Sequence, residues 1–223
     1  MKAGVTPIME APCAREPLPD CSFCPRLVVS RATDRESGAG GWHRPVPSVG
    51  SRSASLLIVS LAPGRDTTRS SANLPFADDH AATLLYTSLH AAGLAETPHG
   101  PATEDFPEPT RYRIVGATRC TSPGDIPQPS EIIACNQFLK SEVQTMPNLR
   151  VVLALGVLAH NATIAACGVP FSRSAFHHGQ ITSMPDGLRI ANSYHLSRYN
   201  IENGIVTRQS FRKLIASISE ELN

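Results

Sequence analysis

What this chain lacks narrows it first. It has no run of about 18 consecutive apolar residues, so no membrane-spanning helix is expected. Residues 1–20 (MKAGVTPIMEAPCAREPLPD) hold no apolar stretch of the kind a secretory signal needs, so the expected location is the cytoplasm. No charge of one sign dominates. Lys and Arg number 20 against 19 Asp and Glu, a formal net charge of +1. Such a balance neither requires nor excludes a nucleic-acid partner, because binding needs a local basic face and not a basic total. No internal repeat is present.

What is there reads as a globular body. The 223 residues are 41% hydrophobic and 17% charged, enough for a substantial core, and 19 prolines imply many loops. Residues 1–17 carry Pro, Ala and charge without periodicity and are expected to form a flexible arm, with residues 18–223 as one domain. Residues 31–54 are rich in Gly, Ser, Pro and Arg, a loop composition.

From Leu56 the pattern becomes regular. LLIVSL (56–61) is a continuous apolar run closed by Ala-Pro-Gly, which reads as a buried strand and a tight turn. DHAATLLYTSLHAAG (79–93) has helical spacing and a Gly stop. YRIVGAT (112–118) is a second strand. Ser130 then stands as the N-cap of a helix through EIIACNQFLKSEVQTM. VVLALG (151–156) and LRIANSY (188–194) are further strands, and Thr207 caps a last helix. Strands alternating with helices predict a three-layer α/β/α sandwich around a four-stranded parallel sheet. Ligands of such sheets bind at the carboxyl ends of the strands, so the loops after the strands are the candidates for function.

Six cysteines in a reducing compartment argue for metal binding or buried thiols over disulfides. Cys21 and Cys24 form C-x2-C. Cys120 begins the loop after the second strand, and Cys135 shares the apolar helix face of Ile132, Phe138 and Leu139. Four thiolates so spaced can hold zinc or an iron–sulfur cluster, and ordinary core cysteines are the competing reading. A redox dithiol at Cys21 and Cys24 is disfavoured, because the pair does not open a helix in a βαβ unit. Cys13 and Cys167 have no partner at useful spacing.

Two loops concentrate polar groups. Residues 61–79 make a long strand-to-helix connection carrying Pro63, Gly64, Arg65, Arg69, Phe76, Asp78 and Asp79. Helix capping by the carboxylates and core packing by Phe76 are the plain alternatives. SYHLSRYNIENG places His195, Ser197, Arg198, Tyr199 and Asn200 directly after an apolar strand. A neutral His there can donate to a carbonyl, and Ser and Arg suit phosphates. His160 and the pair His177 and His178 stand apart from both loops and read as structural or exposed.

Taken in order, CSFCPRLV, WHRPVPSVG, LLIVSLAPG, PFADD, RCTSP, VVLALG, SYHLSRYN and TRQSF resemble the uracil-DNA glycosylase superfamily across about residues 18–216. The resemblance is nearest to its iron–sulfur branches and, among them, to family 5 (type b). It implies an α/β/α fold, hydrolysis of the N-glycosidic bond of uracil in DNA with the nucleotide flipped out, and a structural [4Fe–4S] cluster on Cys21, Cys24, Cys120 and Cys135. Carried onto this chain, it gives Ala62, Pro63 and Gly64 as backbone contacts to the uracil edge and Phe76 as the stacking ring. His195 would stabilise the charge growing on the base, and Asp79 the sugar cation or the attacking water. Arg65, Arg69, Arg119, Ser197, Arg198 and Asn200 would contact DNA. A monomer is expected.

The chain departs from the pattern at Ser60, where many members have Gly, and at Asp78, an added carboxylate. Gly116 stands where related branches carry Asn four residues before the third cysteine, and HPS becomes HLS. With little polar selection left in the pocket, hypoxanthine and xanthine join uracil as expected bases. The alternative is a cluster-bearing protein that binds uracil-containing DNA without turnover, supported by Ser60 and Gly116.

Overall fold

A computed structural model describes residues 16–36, 43–64, 80–100 and 108–223. Among them, five strands form one sheet: β1 (Leu56–Ser60), β2 (Tyr112–Gly116), β3 (Val151–Leu155), β4 (Ile181–Ser183) and β5 (Arg189–Ser193). The helices are α1 (Pro25–Glu36), α2 (His80–Ala91), α3 (Pro129–Thr145), α4 (Val157–Ala166), α5 (Arg198–Glu202) and α6 (Arg208–Leu222).

The strand order is β2-β1-β3-β5-β4, and the first four strands pair in parallel. Their runs of Leu, Ile and Val are buried on both faces because helices cover both. Leu56, Ile58, Ile114 and Leu153 pack with α2 and α6, while Leu57, Val59, Val152 and Ala154 pack with α3 and α4. The three layers follow from that alternation.

The sheet has five strands where the sequence pattern gave four. β4 pairs antiparallel with β5, Thr182 opposite Ile190. Its connection is a tight turn through Pro185, Asp186 and Gly187, in which the Gly187 N–H donates to the Met184 carbonyl at 3.0 Å and the Leu188 N–H to the Asp186 carboxylate at 3.1 Å. Pro-Asp-Gly is a strong turn signal, but three residues of strand give too little alternation to be seen.

Two helices lie outside the sequence pattern: α1 runs through residues 31–36, where the composition reads as loop, and α5 lies within the segment after β5 that also reads as loop. One expected helix start also differs. α3 begins at Pro129 with Gln128 as its cap, so Ser130 lies inside the first turn. Glu131 closes a capping box by accepting the Gln128 N–H at 2.7 Å. Thr207 does cap α6, accepting the Ser210 N–H at 3.0 Å.

The outer edge of β2 is held by a buried charge network. Arg113 on β2 donates to both oxygens of Glu142 on α3, at 2.9 and 3.0 Å, and to the Gly50 carbonyl. Ser48 donates to Glu142 at 2.6 Å. Glu16 accepts from Arg113 at 3.1 Å and also from Arg119. The end of the expected arm is therefore docked at Glu16, because two buried guanidinium groups need an anion; residues 1–15 lie outside the described residues.

Burial alone would raise the Glu142 carboxyl, but bonds from Arg113 and Ser48 and the charges of Arg113 and Arg52 outweigh it and hold the carboxyl below its ordinary value. A depressed folded value means stability that is fully present above the unfolded carboxyl's pKa and is lost as pH falls through the folded one. Glu142→Gln is expected to lower the unfolding free energy by about 3 kcal/mol at neutral pH, measured by urea denaturation. The variant's stability should also fall less steeply on acidification than that of the wild type.

Candidate active site

The parallel strands end together, and the chain after each turns into a loop at one end of the sheet. The β1–β2 ladder runs past both strands: the Ala117 N–H donates to the Ser60 carbonyl at 2.8 Å and the Thr118 N–H to the Leu61 carbonyl at 2.9 Å. This backbone zipper holds the start of the segment that carries Ala62, Pro63 and Gly64. It also explains Gly116. A β-carbon there would overlap the Thr118 carbonyl oxygen and come within 3.7 Å of Pro63. The missing Asn of related branches has no room in this backbone.

β3 ends at Gly156, the N-cap of α4, with φ 104° and ψ 160°. That region belongs almost solely to glycine. Its N–H donates to the Ser193 carbonyl at 2.7 Å, and a β-carbon on it would lie 3.4 Å from the His195 β-carbon. His195 follows β5, half-buried, between exposed Tyr194 and fully buried Leu196. Asn200 donates its amide to the His195 carbonyl at 2.7 Å. Ser197 caps α5, accepting the Asn200 N–H at 3.3 Å, and exposed Arg198 pairs with Glu202. Since β1 and β5 both flank β3, the segments carrying residues 62–64 and His195 leave strands about 10 Å apart, on either side of β3.

Arg65, Arg69, Phe76, Asp78 and Asp79 lie outside the described residues, and α2 starts at the residue after Asp79. Arg119 does not have the place expected of a DNA contact. It is 2% exposed, its guanidinium donates to Ser48 at 2.7 Å and to Glu16, and its Nε has no acceptor. A basic residue after a strand looks like a phosphate ligand, but its partners lie far off in sequence.

The four predicted cysteines line one small cavity beside this end of the sheet, together with Arg31 and Arg119. Arg31 on α1 donates to the Cys120 sulfur at 2.9 Å and to the Cys21 carbonyl. The Arg119 backbone N–H faces the Cys135 sulfur. Arg26, two residues after Cys24, makes a bidentate pair with Glu131 at 2.8 Å and so ties α1 to the start of α3. Burial pushes the Cys24 thiol up to about 11 and the Cys135 thiol up to about 12, so without a metal these groups are neutral. Among the described residues, no three His, Cys, Asp or Glu side chains are grouped as a site for one metal ion. Sequence reasoning missed Arg31, which it placed at the start of a loop although the residue lies on α1, and gave no role to His178, whose ring stacks on Tyr194.

Residues 47–218 match the model of the uracil DNA glycosylase superfamily. The chain belongs to that superfamily. A type-5 uracil-DNA glycosylase of Thermus thermophilus is 35% identical over 200 residues, covering 87% of this chain and 90% of that protein. Type-5 enzymes of Mycobacterium bovis and Pyrobaculum aerophilum are 34% and 31% identical, over 84% and 89% of this chain and 72% and 87% of those proteins. This glycosylase-superfamily chain therefore sits with an enzyme family that hydrolyses N-glycosidic bonds.

Gly116 gives a direct check of the site backbone. Gly116→Asn is expected to destabilise the protein by about 1–3 kcal/mol, since the Thr118 carbonyl and the zipper to Leu61 must move. Urea denaturation measures it, and an Asn variant as stable as the wild type would contradict the close approach.

Proposed function

We propose that this chain is a DNA glycosylase that hydrolyses the N-glycosidic bond of uracil in DNA, releasing the free base and leaving an abasic site. The observation that carries the reading is half-buried His195 beside side-chain-free Gly156, on the same sheet end as Ala62, Pro63 and Gly64. The type-5 relatives support it.

The bond is unreachable inside a duplex, so the nucleotide must be flipped into the site. Backbone groups of residues 62–64 would meet the base edge, and Phe76 would stack on its face. As the bond breaks, the base departs with the electron pair and negative charge gathers on its carbonyls. A donor from His195 stabilises that charge more than the ground state, which lowers the barrier. Asp79 would steady the cationic sugar or direct the water, with Asp78 beside it. Arg65, Arg69, Ser197 and Arg198 would serve the phosphates. Asn200 already holds the His195 carbonyl and so shapes the loop as well. With no side chain at Gly116 to select among base edges, hypoxanthine and xanthine are proposed as further substrates.

The four thiols lining the cavity between α1 and α3 support a [4Fe–4S] cluster there, which Cys21, Cys24, Cys120 and Cys135 would hold. Two observations support the fit: two guanidinium groups line the cavity that would take an anionic assembly, and the buried Nε of Arg119, one of those groups, lacks a partner. Such a cluster would be held by all four thiolates together, which need not crowd round one ion. When bound, the cluster would hold residues 18–31 against the loop after β2, a structural contribution.

Base release from oligonucleotides carrying uracil, hypoxanthine, xanthine or mismatched thymine tests the activity. His195→Ala is expected to lower the uracil rate by about 10²–10³-fold, and Asp79→Asn by about 10²-fold or more. A wild-type protein with its full iron content that releases no base would overturn the reading and favour binding without turnover. Separately, Cys24→Ala is expected to lose iron and visible absorbance and to melt at lower temperature. Wild-type protein that purifies colourless with bound zinc would refute the cluster.

A further inference from the structure

His178 lies between α4 and β4, half-buried, and touches the His195 loop in two ways. Its ring stacks on Tyr194 with centroids 5.2 Å apart and planes 23° apart. Its Nδ1 accepts the backbone N–H of Tyr194 at 3.1 Å. Accepting at Nδ1 places the proton of the neutral ring on Nε2. Burial lowers the ring's pKa and so favours this neutral form. Tyr194 is the residue before His195, so the bond grips the peptide that delivers it.

The grip is braced from behind. Phe176 packs on Tyr194 at 5.2 Å and edge-on against His160 at 5.7 Å. Buried His160 has Nδ1 2.8 Å from the Asn192 amide and Nε2 2.9 Å from the Ser174 carbonyl. The Gly179 N–H donates to the Asn192 carbonyl at 2.8 Å. Residues 174–179 are thereby fastened along the end of β5. The Asn200 amide holds the His195 carbonyl, and the Gly156 N–H holds the Ser193 carbonyl two residues before it. Tyr194 lies just past the last β3–β5 partner pair, Leu155 with Ser193, so its N–H has left that register.

We propose that His178 is a positioning residue for His195, acting through the Tyr194 N–H to set the backbone from which the His195 imidazole reaches the base. The proposal rests on the role given to His195 above. A small displacement of a donor aimed at a developing charge is costly, because its benefit depends on distance and angle.

Two substitutions separate gripping from packing. His178→Phe keeps a ring for the stack and removes the acceptor; His178→Asn gives up the ring and keeps an acceptor oxygen near the Nδ1 position. Single-turnover release from a uracil-containing single strand is expected to fall about tenfold in His178→Phe and to recover most of that loss in His178→Asn. Affinity for the same strand carrying a non-hydrolysable fluorinated deoxyuridine should be unchanged in both. Hydrogen exchange of the Tyr194 amide reports the grip without any turnover: it should speed up about tenfold in His178→Phe and stay slow in His178→Asn. Unchanged exchange in His178→Phe, or equal slowing of both variants with a lowered melting temperature, would overturn the proposal. Faster exchange in His178→Phe, alongside a wild type that releases no base, would uphold the grip while the glycosylase reading falls.

Discussion

The carboxylate of Glu142 is the group on which much of this architecture depends. It is wholly buried, and a buried charge survives only if every oxygen is met. Arg113 and Ser48 meet it, and in doing so they join α3, the second strand and the segment entering the first. Arg113 and Arg119 then require Glu16, which draws the beginning of the described chain onto the same spot. A single desolvated anion thus fixes four stretches that are remote in sequence.

That network abuts the cysteine cavity through Arg119, which precedes Cys120 and shares its lining. Arg31 approaches the same sulfur from α1. The side of the molecule that would carry the metal is therefore organised by guanidinium groups, while the opposite flank of the sheet end is organised by rings: His160, Phe176, Tyr194 and His178. The segment 62–64 and His195 lie between these supports, with a glycine at Gly116 and another at Gly156 where side chains would intrude.

Local physics was plain in the sequence. LLIVS and VVLAL announce strands covered on both faces, Thr207 announces a cap, and the apolar spacing on α3 turns Cys135 inward. The segments resembling the superfamily lie along the span its model matches. What stayed hidden depends on partners distant along the chain. Arg119 looked like a phosphate ligand until Ser48 and Glu16 were seen to occupy it. His178 looked solitary because the hairpin of β4 and β5 is what returns it to Tyr194, and that hairpin begins with a strand too short to show a period. Gly116 read as a lost contact, whereas the carbonyl of Thr118 makes it a steric requirement.

The short strand β4 has one more consequence. An open sheet offers unpaired backbone at its two margins, and bare margins invite other chains to add on. Here one margin is β4, three residues long and ended by Met184 and Pro185. At the other, Val49 exchanges both backbone bonds with Ile114, at 2.7 and 3.0 Å, and covers β2 from outside. Among the described residues, a neighbouring strand would find little template at either margin, while the sheet's carboxyl end stays open to a ligand.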